Sequence, residues 1–198
     1  MESEGKHIFD RFRTELTQRS FTDFFNYYFS RLKKFALTIV KSELVAEETV
    51  LDVFFKIWEH KNTLVTILNI ETYLFVSVRN TAVNIIRKEQ KFDFDMIKDA
   101  DVKLAEYKPT PESLFIEHEM LHTLNLAVAA LPAKCKIIFK LIREDGLNRN
   151  EVAEILNISV KTIDNQVAIA VKKIAEQLHI DLAQPKNSKA LITVLFTL

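Results

Sequence analysis

Three groups of residues in this 198-residue chain have types and spacings that could do chemistry. The first is His118-Glu119-Met120-Leu121-His122, an HExxH pattern. On a helix this spacing puts two imidazoles on one face as zinc ligands, with Glu119 as a general base. Glu144, further along the chain, is a candidate third ligand. The flanking residues oppose that reading. His122 is followed by Leu124, Leu126 and Val128, which read as a packing helix ending at Leu131-Pro132, and no strand-like run precedes it to form a substrate edge. A zinc hydrolase therefore stands only as an alternative, and the expectation is no catalytic residue, no metal and no cofactor. Cys135, flanked by Pro132, Lys134 and Lys136, has no paired histidine and reads as a helix residue.

The second group lies in Asn148–Lys173, NRNEVAEILNISVKTIDNQVAIAVKK. Val152, Ala153 and Leu156 are spaced to face inward from a short helix. Asn157-Ile158 reads as a tight turn, Ser159 as a helix cap, and Val160, Ile163, Val167, Ala170 and Ile174 as the buried stripe of a second helix. Ala153 is small where two helices must cross. This is the pattern of a helix-turn-helix, whose second helix enters a DNA major groove. The groove-facing positions are Lys161, Thr162, Asn165 and Gln166, with Lys172 and Lys173 further along. Asn and Gln can pair with adenine through two hydrogen bonds, and Lys can reach guanine or phosphate.

The third group is in the first half. Arg79, Asn80, Asn84, Arg87 and Lys88 recur at intervals of one to four, so several can share a helix face as phosphate and base-edge contacts. The loop Lys61–Asn69 just before could hold a base from an opened strand. Upstream, Glu47, Glu48, Leu51, Asp52 and Phe55 mark the outer side of another helix. Carboxylates mixed with apolar side chains on such a face suit a protein interface.

These groups need helices to position them. Apolar residues at Phe21, Phe25, Tyr28, Leu32, Phe35 and Ile39 predict a helix over 21–40, with Ser20 as its cap. Ala46, Val50, Val53, Phe54 and Ile57 predict a second over 44–60. Tyr73, Leu74, Val76, Val78, Val83, Ile85 and Ile86 predict a third over 71–90. Trp58 and the many phenylalanines read as core. Residues 92–112 lose the helical period and end in Pro109 and Pro111, the mark of a linker. Helices are then expected over 111–130 and from Pro132 to Glu144, with Gly146 as a stop, and over 150–156 and 159–177. The fold class is all-α. Only two glycines, Gly5 and Gly146, and four prolines argue against sandwiches, barrels and glycine-rich nucleotide cradles.

The net charge is zero, but unevenly spread. Residues 92–119 hold three basic and eight acidic side chains, while 20–91 hold ten and eight, and 120–198 ten and seven. An acidic middle between two mildly basic halves suits two polyanion-binding modules. One cysteine excludes an intrachain disulfide and fits a reducing compartment. No run approaches 18–20 apolar residues, and MESEGKHIFDRFR lacks the apolar core of a signal peptide, so the expectation is a cytoplasmic protein without membrane insertion of its own. The final ALITVLFTL, Ala190–Leu198, is too short to span a bilayer as a helix and is expected to fold back or be captured by a partner.

Glu151-Val-Ala-Glu-Ile-Leu156 followed by Ile158-Ser-Val-Lys-Thr-Ile163 resembles region four of the extracytoplasmic-function (ECF) sigma factors of bacterial RNA polymerase. So does Ala130-Leu-Pro-Ala-Lys-Cys-Lys-Ile-Ile-Phe139. Ala46-Glu-Glu-Thr-Val-Leu-Asp-Val-Phe-Phe-Lys-Ile-Trp58 resembles region 2.2, and Tyr73–Asn80 with Arg87-Lys88 resembles regions 2.3 and 2.4. The resemblance implies a sigma factor that directs core RNA polymerase to promoter DNA, not an enzyme. It implies five segments: an N-terminal segment 1–19; a region-two domain 20–91; an acidic linker 92–112; a region-four domain 113–182; and an apolar tail 183–198. Arg79, Asn80, Asn84, Arg87 and Lys88 would then serve the −10 element. Lys161, Thr162, Asn165, Gln166, Lys172 and Lys173 would serve the −35 element, and Glu48, Leu51, Asp52 and Phe55 the polymerase clamp helices. The chain departs from the family pattern at Glu48 (commonly Asp), Leu51 (commonly polar), Asn84 (Asp in many members), and Gln166 and Ile169 (frequently basic). Asp164-Asn165-Gln166 and the apolar tail resemble a branch that works with single-pass transmembrane anti-sigma factors. A stand-alone dimeric helix-turn-helix regulator is the alternative reading.

Overall fold

The structure is a computed structural model that describes residues 2–89 and 124–180. The expectations for the acidic linker, the His118–His122 segment and the tail Ala190–Leu198 lie outside the described residues. All regular structure among the described residues is helical. The chain divides into two compact units.

The first unit is built from α1 (Glu2–Glu15), α2 (Gln18–Val40), α3 (Glu43–Glu59), a 3₁₀ turn (Lys61–Thr66) and α4 (Ile70–Glu89). Short turns join the first three helices. Leu16 and Lys41 each adopt left-handed φ, 51° and 57°, and their N–H groups close onto the Phe12 and Leu37 carbonyls at 2.8 and 3.0 Å. Each following helix restarts on a side-chain cap. Thr17 Oγ1 accepts from the Ser20 N–H at 3.2 Å, Ser42 Oγ from Val45 at 3.4 Å, and Asn69 Oδ1 from Thr72 at 3.1 Å. The cap of α2 is therefore Thr17, not Ser20. Ser20 lies inside the first turn, buried, with its hydroxyl donating to the Thr17 carbonyl.

α2 is the central element and packs on α1, α3 and α4. Its Phe24 is fully buried, with the rings of Phe9 and Phe12 from α1, Phe21 and Tyr28 from its own helix, and Phe54 from α3 all centred within 6.5 Å. Stacked, tilted and edge-on pairs of this kind stabilise beyond their buried area. Trp58, half-buried, packs at a tilt with its ring centre 4.9 Å from that of Phe21 and carries the Lys61 ammonium 3.7 Å above its ring. Tyr73, predicted as core, is instead exposed, because the inward face of α4 is set by Leu74, Phe75, Val78 and Ala82.

α1 docks where Gly5 meets α2 and α4. A methyl group on Gly5 would overlap the Tyr28 hydroxyl and press on Tyr27 and Glu71. Burial, reinforced by the Glu71 charge, pushes the Tyr28 phenol well above its ordinary range, so it stays neutral. Beside it Arg31 pairs with Glu71 at 3.2 Å, and both side chains are mostly buried. In an open helix, Gly→Ala would stabilise by about 0.5–1 kcal/mol. Here Gly5→Ala is expected to destabilise the first unit by about 1–3 kcal/mol through overpacking. Urea unfolding followed by Trp58 fluorescence checks the sign; a more stable variant would show that α1 does not seat on Gly5.

The second half of the chain contains helical residues 124–129, α5 (Ala133–Arg143), α6 (Arg149–Leu156) and α7 (Val160–Gln177). Pro132 sits at the cap of α5, one residue before the helix rather than within its first turn. Gly146, at φ 69°, follows the end of α5 as a left-handed stop. The main packing is α5 against α7, through Ile138 and Phe139 on one side and Ile163, Val167, Ala170 and Ile174 on the other.

Candidate nucleic-acid and polymerase interfaces

The helix-turn-helix is built by local rules. Asn148 caps α6: its Oδ1 accepts from the Asn150 and Glu151 N–H groups at 2.9 and 3.1 Å, while Glu151 Oε2 accepts from the Asn148 N–H at 2.7 Å. This reciprocal arrangement is a capping box. At the other end Asn157 takes left-handed φ, 56°, and the Ile158 N–H closes onto the Ala153 carbonyl at 3.0 Å. That is a Schellman turn, with asparagine where glycine is more usual. Ile158 is half-buried in the turn, and Ala153 is buried. Ser159 Oγ then accepts from the Thr162 N–H at 3.1 Å and starts α7. Arg149 and Asp164 pair across the motif at 3.2 Å.

With the buried stripe of α7 fixed by Ile163, Val167, Ala170, Val171 and Ile174, its outward face carries Lys161, Asn165, Ala168, Ile169 and Lys172, all exposed. Thr162 lies at the edge, partly exposed, its hydroxyl 2.9 Å from that of Ser159. Gln166 does not belong to the centre of this face. Its Oε1 accepts a hydrogen bond from the buried Cys135 thiol of α5 at 2.9 Å, and the side chain is only partly exposed. Burial pushes the Cys135 thiol up, with Lys173 drawing it part of the way back, so the sulfur keeps the proton it donates. Lys173 is exposed on that same flank. Val160, read as part of the buried stripe, is 37 % exposed, because the first residue of α7 precedes the point where α5 covers the helix.

In the first unit, Asn80, Asn84, Arg87 and Lys88 are all exposed on α4. At about 100° per residue they fall within roughly one quadrant of the helix. Asn84, Arg87 and Lys88 line a cleft with Asp52 and Lys56 of α3. Arg79 is partly exposed and lies about a quarter-turn away from that face, so the structure brings together four of the five. The predicted loop 61–69 is mostly the 3₁₀ turn, anchored by buried Leu64, and Leu68 beyond it is 98 % exposed. Asn69 is occupied as the cap of α4.

On α3 the four interface residues converge. Glu48, Leu51, Asp52 and Phe55 line one shallow depression together with Leu44 and Glu47. Leu44 was missed in the sequence, though a second apolar stripe, Leu44, Leu51 and Phe55, runs opposite the buried one. Lys33 reaches this rim, 3.2 Å from Glu43 and 2.9 Å from Glu47, and these carboxylates raise its proton affinity. Glu48 and Asp52 remain toward solvent, Asp52 with Lys56 at 3.9 Å.

Glu144 is exposed and paired with Lys140 at 3.9 Å. Among the described residues no three histidine, cysteine or carboxylate side chains converge as metal ligands. No described helix is long and apolar enough to cross a membrane.

Comparison with known proteins gives a consistent result. Residues 24–92 match the family model described as Sigma-70 region 2, and residues 121–174 match Sigma-70, region 4. None of the curated proteins matches the chain. Among solved structures, the fold is similar to the sigma factor RpoE of Bartonella quintana, determined in complex with the anti-sigma factor NepR. The TM-score is 0.56 at 23% identity, over 82% of this chain and 99% of that one. The two family models follow one another in order and together cover more than half of the chain, one on the unit bearing the α3 depression and the α4 polar face, the other on the helix-turn-helix: the chain belongs to the sigma-70 family of transcription initiation factors.

Proposed function

We propose that this sigma factor divides promoter recognition between two domains: residues 20–91, with α1 packed onto them, for core polymerase and the −10 element, and residues 113–182 for the −35 element. Residues 92–112 form the acidic tether, and 183–198 an accessory tail. The observation that carries the reading is the outward face of α7, where a capped helix of a helix-turn-helix presents Lys161, Asn165 and Lys172 opposite a buried stripe. Asn84, Arg87 and Lys88 on α4 serve the −10 element, with Asn80 beside them. Glu48, Leu51, Asp52 and Phe55 dock on polymerase. The Bartonella protein is bound by an anti-sigma factor. We extend that control to this chain, which works in the cytoplasm beside polymerase and is held inactive until a signal arrives.

The test uses holoenzyme reconstituted from core polymerase and the full chain, and a promoter duplex selected from a random library. Asn165→Ala is expected to cost about 1–3 kcal/mol at one or two base positions. Lys172→Ala is expected to weaken binding evenly across sequences, as a phosphate contact does. Equal losses on selected and random DNA for Asn165→Ala would overturn the assignment.

A further inference from the structure

The centre of the outward face of α7 is not polar. Ile169 is 40 % exposed, and Ala168 beside it is exposed as well. They lie one turn beyond Asn165 and one turn before Lys172, on the side of the helix opposite Val167, Ala170 and Ile174. A β-branched residue here adds nothing to helix propensity, and its exposed area is unfavourable in water. Its neighbours favour one occupant. Lys161 and Lys172 stand about 16 Å apart along the axis, at 1.5 Å per residue. Both lysines share the outward face with the uncharged residues, and their long flexible stems can carry the ammonium groups aside to the phosphates flanking the groove while the shorter uncharged side chains between them face the floor. Gln166, the other candidate base reader, is held by Cys135 on the flank. Asn165 is then the polar reader left on that floor, and the adjoining surface is apolar. In the major groove the apolar feature a base pair offers is the C5-methyl group of thymine.

We propose that Ile169, supported by Ala168, is a specificity-determining residue that reads a thymine methyl in the −35 element. The inference rests on the DNA-reading assignment of α7 made above. Ile169 lies about 6 Å from Asn165 along the helix, so the thymine falls within about two base pairs of the base that Asn165 reads.

Two selections with the reconstituted holoenzyme test this, one on a random −35 library made with thymine and one on the same library made with uracil, which lacks only the methyl group. With thymine, a preferred T is expected within two base pairs of the position whose preference changes in Asn165→Ala. On a duplex from that selection, replacing this T by U is expected to weaken binding about fourfold, the effect of one buried methyl group. Ile169→Ala is expected to lose the preference for T over U at that position and to keep the remaining preferences. If the uracil library yields the same preferred position, or Ile169→Ala still distinguishes T from U there, the methyl-reading role is wrong while the α7 assignment stands. If neither Asn165→Ala nor Ile169→Ala changes any −35 preference, the α7 assignment falls and this inference with it.

Discussion

Replacing Leu51 and Phe55 together by aspartate is expected to lower affinity for core polymerase by at least about 2 kcal/mol, on the order of thirtyfold, while the protein keeps its fold. Leu51 is 45 % and Phe55 60 % exposed, so neither closes the core of the first unit. They form the apolar floor of the α3 depression, with Glu48 and Asp52 at its edge. An apolar centre with a charged edge is the layout of a protein interface. Competition for core enzyme against a labelled sigma factor measures the loss, and circular dichroism confirms that the helices persist. Glu48→Lys with Asp52→Lys should act in the same direction, mainly on the association rate, because rim charges steer encounter. Unchanged co-purification of both variants with core polymerase would move the docking surface elsewhere.

The opposite pattern is expected at Phe24. Phe24→Ala removes a fully buried ring from a cluster drawn from three helices and should cost about 3–5 kcal/mol. Domains of this size have only about 5–15 kcal/mol in total, so the first unit would be marginal or unfolded near physiological temperature. The single tryptophan, Trp58, sits 4.9 Å from Phe21 and reports on this unit. Urea titration followed by its fluorescence should show a midpoint far below that of the wild type. Phe55→Ala, on the exposed face of α3, should shift it by less than about 0.5 kcal/mol. Similar shifts for the two variants would contradict the packing described for α2.

The helical architecture was legible because its long helices have strong apolar periods and because the caps at Ser159 and Gly146 are local signals. α1 was not. Phe9 and Phe12 lie three apart, but the surrounding charges hide so short a stripe, and the signal that seats the helix is the absence of a side chain at Gly5, whose partner Tyr28 is distant in sequence. Ser20 has the look of a cap because it stands before an apolar run. Thr17, three residues earlier, takes that role because it is the residue with extended backbone, φ −89° and ψ 158°. For the candidate sites, helical spacing alone gathered Glu48, Leu51, Asp52 and Phe55 correctly onto one face. It could not show that Gln166 is held by Cys135, since that contact depends on how α5 crosses α7. Arg79 is different: helical spacing itself sets it about a quarter-turn from the other polar residues of α4, a separation that intervals of one to four conceal until the angles are drawn.

The spacing of lysines on α7 has a consequence for ionic strength. On the proposed −35 role, with Lys161, Lys172 and Lys173 as the phosphate-reaching cations of α7 and the centre of its face uncharged, this helix's own share of the contact would release few counterions on binding. For about three phosphates, log K against log salt has a slope near −3, and affinity falls roughly fortyfold between 50 and 200 mM salt. A protein making six to ten such contacts loses about a thousandfold or more over the same range. The same sparseness weakens the sequence-independent attraction to bulk DNA. On that reading, discrimination by this helix rests on base-edge chemistry and is expected to hold nearly constant as the ionic composition of the cell changes.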